Sequence, residues 1–145
     1  MLGKPYSEQF TQLIERLNWD IELPGTLADF FDRSGPCAAG PSDRRSSARI
    51  RVRAMAILVP ELSPPALPRP TAAMGVYTGD FSRKGISFLA SQQFWPEEIV
   101  RLVLQTFWIR VRVVRQRYHG RRCFESGCEL VSRHGADPEA FSGIE

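Results

Sequence analysis

Arg45 and Arg49 stand in an R-x-x-x-R spacing, with Arg44 beside them as a third guanidinium. Thirty-one residues beyond Arg49 begins Asp80-Phe-Ser82-Arg-Lys-Gly85, which puts a carboxylate, a hydroxyl and a glycine into one short polar stretch. Guanidinium forks bind phosphate oxygens, and also the O6/N7 edge of guanine, in planar bidentate geometry. A carboxylate accepts from the N1–H and N2–H₂ of a guanine, and a glycine lets the backbone come close. Together the two sets supply what a phosphorylated purine needs.

The elements that would position them follow from periodicity. From Arg49 onward, Ile50, Val52, Ala54, Ala56 and Leu58 alternate with Arg49, Arg51, Arg53, Met55 and Ile57, which predicts one long strand with a single buried face. Five prolines between Pro60 and Pro70 exclude a central strand there and predict an extended surface loop. Strands are predicted at 75–80 and 85–90, joined by the second motif, then at 99–104, 107–118 and 122–131. Residues 94–98 read as a turn, 105–106 must form a hairpin without help from Gly, Asn or Pro, and His119-Gly120 reads as the last turn. Six strands separated by turns predict a mainly β fold, a small six-stranded antiparallel barrel.

Ahead of it lies a different kind of chain. Phe10, Leu13, Ile14 and Leu17 share one face of a helix predicted over 7–18, with Ser7 as its N-cap. A second short helix is predicted over 27–33, begun by a Thr26-x-x-Asp29 pattern, and residues 34–43 read as a linker. The expected division is an N-terminal helical extension and linker over 1–42, the barrel over 43–133 and a tail over 134–145, with a short helix at 137–141.

The pair R-x-x-x-R and D-x-S-x-x-G, each beside a strand, resembles the PilZ family of bacterial receptors for cyclic di-GMP, over roughly residues 43–133. The resemblance implies a six-stranded barrel. It also implies ligand contacts from Arg44, Arg45 and Arg49 to phosphates and guanine edges, and from Asp80, Ser82 and Gly85 to the remaining base edge and backbone. Lys84 stands where many relatives carry a further glycine, and a positive φ there would strain the turn. The arginines 110, 112, 115, 117, 121 and 122 are expected on the solvated side of a strand and its turn.

The net charge of +3 conceals an asymmetry: residues 1–42 hold 3 basic and 6 acidic side chains, residues 43–145 hold 16 and 10. The positive field therefore lies on the part that carries both motifs and favours an anionic partner. Apolar residues at 43% and charged residues at 24% are ordinary for one globular domain. No apolar run reaches the ~18–20 residues of a membrane span, and the first ten residues lack the apolar core of a secretory signal, so a cytoplasmic protein is expected. Cys37, Cys123 and Cys128 form neither a metal spacing nor an even set for disulfides. No catalytic set, metal site or cofactor is expected, and the chain reads as a receptor.

In that reading the ligand clamps the Arg44–Arg49 loop, repositions the N-terminal helices and alters contact with a protein partner or a second copy. The alternative is a PilZ-like interaction module that binds no nucleotide and works through an exposed apolar helix face. A basic barrel that binds RNA or DNA is the weaker third, since few aromatics interleave with the arginines.

Overall fold

The computed structural model describes residues 5–17, 19–25, 35–36, 50–51, 54–62 and 72–144, with backbone alone at 35–36 and 50–51. The elements are α1 (Tyr6–Arg16), β1 (Gly35–Pro36), β2 (Ile50–Arg51), β3 (Met55–Leu62), β4 (Met74–Phe81), β5 (Gly85–Ala90), β6 (Ile99–Val103), β7 (Trp108–Gly120), β8 (Cys123–His134) and a terminal 3₁₀ turn, Pro138–Phe141. Strands β3 to β8 close on themselves in the order β3-β6-β7-β8-β5-β4, and every pairing is antiparallel. This is the six-stranded barrel that the turn spacing predicts. The short strands β2 and β1 extend it outward from β4.

Several predicted boundaries differ for physical reasons. The single strand expected from Arg49 is two strands, since Ile50–Arg51 and Met55–Leu62 pair with different stretches of β4. Strand β3 also runs into the proline-rich segment. Its pairing with β4 ends at Leu58, so among the described residues Pro60 and Leu62 pair with β6 alone, and an edge position tolerates proline. At the last hairpin the turn is Arg121-Arg122, with Arg122 at φ 55, while Gly120 still pairs with Cys123. In the linker, Gly35–Pro36 pairs with Ile50–Arg51. The predicted helix at 27–33 and most of the 60–70 loop lie outside the described residues.

The one-faced strand is the larger correction. Ala56 and Leu58 point into the barrel with Val76, Phe88, Val100, Leu102, Val111 and Val113. Ile57 and Val59, on the opposite face, are also buried, because Phe10 and Leu13 of α1 cover them together with Val103, Trp108 and Ala140. The apolar stripe of α1 is therefore spent on the outside of the barrel. Helix α1 starts after Pro5 instead of at Ser7. Tyr6 in its first turn donates its hydroxyl to the carbonyls of Leu104 (2.7 Å) and Phe107 (2.9 Å), which ties that turn to the β6–β7 hairpin. Residues 19–25 cross the other flank, where Trp19 stacks on Tyr77 and Ile21 packs on Leu89 and Cys123.

Glu61 joins the end of β3 to the tail. Its carboxylate accepts from Arg101 Nε (2.8 Å) and from Arg110, while Arg101 Nη1 donates to the carbonyls of Ala140 and Ser142, both at 2.8 Å. Burial alone would raise the Glu61 pKa, but the bonds from Arg110 and Arg101 outweigh it and hold the carboxyl below the ordinary 4.5. A depressed folded pKa adds stability that is complete above the unfolded value and is lost as pH falls through the folded one. Glu61→Gln is therefore expected to lower the melting temperature at pH 7 by about 2–4 °C, the effect of ~1 kcal/mol for a partly solvated pair in a chain this size. Parallel melts should show that gap closing as pH falls below 4.5, and a gap independent of pH would refute the linkage.

Candidate functional site

The polar stretch 80–85 is the connection from β4 to β5. In the β4–β5 ladder Thr78 pairs with Phe88 and Phe81 with Ile86, so Gly79 and Asp80 together oppose the single residue Ser87. Such a bulge kinks the strand and re-aims the side chains beside it. The hydroxyl of Ser87 accepts the displaced Asp80 N–H at 2.9 Å. The turn itself is closed by Ser82 N–H donating to Gly85 O at 2.9 Å, and it is tied to β8 by Leu130 N–H donating to Lys84 O at 2.8 Å. Asp80 and Ser82 are half-buried, Arg83 and Lys84 are exposed, and Phe81 packs against the main core and the edge of Phe107. Lys84 is not among the described residues with positive φ, so the substitution of lysine for a second glycine leaves the turn unstrained.

Asp80, Ser82 and Gly85 therefore stand together, as the motif requires. Arg44, Arg45 and Arg49 lie outside the described residues. What is described is the strand that follows them in the chain: Ile50 pairs with Phe81 and Arg51 with Asp80. Strand β1 pairs in turn with β2, Gly35 opposite Arg51 and Pro36 opposite Ile50, so β1 and β2 lie side by side next to the Asp80–Phe81 end of β4.

Around the turn opens a cavity of about 170 Å³, bounded on one side by Asp80, Ser82, Lys84 and Ser87 and on the other by Arg115 of β7 and Gly127 and Glu129 of β8. A second hollow of about 120 Å³ lies across the turn, lined by Arg83, Phe107, Leu130 and Arg133, with the Arg133 guanidinium 5.2 Å above the Phe107 ring. Ser87 and the β7–β8 wall escape motif reading. One signal was available: the arginine alternation changes phase between Arg112 and Arg115, and the structure has a bulge there, between Val113 and Arg115. Several of the outward arginines expected to be merely solvated are paired, Arg112 with Glu129, Arg122 with Asp20 (3.0 Å) and Arg121 with Glu22 (3.8 Å).

The two described cysteines are reduced and buried. Burial, aided by the nearby Glu125 charge, pushes the Cys123 thiol up to about 11, and burial raises that of Cys128 against the pull of Arg115. Both are poor nucleophiles at neutral pH. Among the described residues no group of three or more His, Cys, Asp or Glu side chains is placed to hold a metal ion, and no helix is long and apolar enough to cross a membrane.

With a closed six-stranded barrel and a D-x-S-x-x-G turn set beside the strand that follows R-x-x-x-R, the comparison with known families decides the matter. The PilZ domain model matches residues 43–139. The chain belongs to the PilZ domain family. PilZ domains are binding and regulatory modules, and the family is in general one of cyclic di-GMP receptors. No curated protein and no solved structure matches the chain. In this PilZ domain, then, the motif turn is a strand bulge plus a backbone-closed tetrapeptide, braced from β8.

Proposed function

We propose that this PilZ domain is a cyclic di-GMP receptor in which Arg44, Arg45 and Arg49 and the turn residues Asp80, Ser82 and Gly85 hold one ligand between them. The observation that carries the reading is the pairing of Arg51 with Asp80, which sets the strand that follows the arginines in the chain beside the turn. A guanine presents two donors to the Asp80 carboxylate, and the phosphodiesters take the guanidiniums. The segment between β1 and β2 is clamped in the process. Because β1 leads back toward α1, clamping alters how the N-terminal part lies on the barrel, and a protein partner reads that change.

Thermal shift with cyclic di-GMP, cyclic di-AMP and GTP tests it. The expected result is a rise in melting temperature with cyclic di-GMP alone, absent in Arg45→Ala. A ligand at 100 times its dissociation constant adds ~2.7 kcal/mol, roughly 5–10 °C here. No shift with cyclic di-GMP at millimolar concentration, or equal shifts with all three, refutes the proposal.

A further inference from the structure

Resting on that reading, we infer that Arg115, which belongs to neither motif, is a further ligand contact and binds a phosphate of the cyclic dinucleotide from the opposite wall of the groove. Arg115 lines the same cavity as Asp80 and Ser82. Two features of the barrel put it there. The bulge at Val114 shifts β7 by one residue, so that Arg115 returns to the outer face already occupied by Arg110 and Arg112 and pairs with Gly127. Gly127 then leaves room for the side chain to lie flat across β8, since a Cβ at that position would stand 2.5 Å from Arg115 Nε and 2.8 Å from its Cγ.

Two of the carboxylates around it are engaged by other side chains. The groove carries two further carboxylates besides Asp80, and both have basic neighbours: Glu129 is bonded to Arg112, and Glu125 lies 2.7 Å from His119 Nε2. Arg115 is exposed and makes no ion pair among the described residues. A guanidinium laid along a groove, with its neighbouring carboxylates engaged elsewhere, presents its donors to whatever enters. A cyclic dinucleotide carries two phosphodiesters. With one guanine on Asp80, Arg115 in the same cavity takes a phosphate.

Calorimetry with cyclic di-GMP on the full chain tests this, using Arg115→Ala, Arg115→Lys, Gly127→Ala and the Arg115→Ala/Gly127→Ala double variant beside Arg45→Ala. Arg115→Ala is expected to weaken binding roughly 10- to 100-fold, the loss of one charge-assisted contact. Its affinity should also depend less steeply on salt than the wild type's. Arg115→Lys should recover most of the loss, because a phosphate accepts a point charge. Gly127→Ala keeps the charge but displaces it, so it should weaken binding alone and add little once Arg115 is gone. Wild-type affinity in Arg115→Ala while Arg45→Ala fails overturns this inference and leaves the receptor reading intact. An Arg115→Lys as weak as Arg115→Ala overturns the phosphate assignment, and a wild-type protein that binds nothing overturns both.

Discussion

Asp80→Ala is expected to weaken cyclic di-GMP binding by roughly 10²- to 10³-fold. In the proposed complex the carboxylate accepts from two guanine donors, each bond to a charged group being worth ~1.5–3 kcal/mol, and the half-buried setting favours the lower part of that range. The fold should not suffer. The main-chain N–H of residue 80 goes to Ser87 Oγ whatever the side chain is, and the pairing with Arg51 is a backbone pairing. The unliganded variant should therefore melt within a few degrees of wild type while its calorimetric titration goes flat at micromolar ligand. Asp80→Asn should fall between the two, keeping an acceptor oxygen but losing the charge and setting an amide donor against the guanine donors. Binding of Asp80→Ala within threefold of wild type would mean that this carboxylate does not read the base.

Much of this was legible in the sequence because the two signals involved are local. Alternation of apolar residues gave the barrel strands, and the 80–85 motif names its own turn. What the sequence concealed comes from contacts between distant segments. Ile57 and Val59 look solvent-facing by period two, yet α1 covers them, a burial that depends on residues nearly fifty positions earlier. Pro60 reads as a strand breaker, and only the early end of β4 makes it an edge position. The bulge opposite Ser87 and the Arg115–Gly127 pair belong to strand register, which no single strand specifies. The phase slip between Arg112 and Arg115 is the trace that register left in the sequence, and it points to a residue the motifs do not contain.

The turn and the barrel are not separable at Gly85, and a substitution there should show it. A Cβ on Gly85 would lie 2.0 Å from the carbonyl oxygen of Cys128 and 3.2 Å from its carbon, a clash with main chain that no side-chain movement relieves. The strand cannot simply back away. Gly85 pairs with Glu129 and Ile86 with Cys128, Ser82 N–H closes the turn on the Gly85 carbonyl, and Leu130 N–H holds Lys84. Moving it would also drag Ile86 and Cys128 out of the main core. Gly85→Ala is thus expected to cost about 3 kcal/mol, the upper end of overpacking, and to lower the melting temperature by roughly 10 °C. Gly135→Ala, where nothing lies within 4 Å of the added methyl, should melt like wild type. The two variants of the motif then fail differently. Asp80→Ala loses the ligand and keeps its stability, whereas Gly85→Ala weakens binding and stability together, because the contact that brings β5 against β8 is also what sets the direction of the turn. A Gly85→Ala protein that melts within 2 °C of wild type would show that β5 does not press on Cys128 as described, and the account of how the barrel braces its binding turn would fall with it.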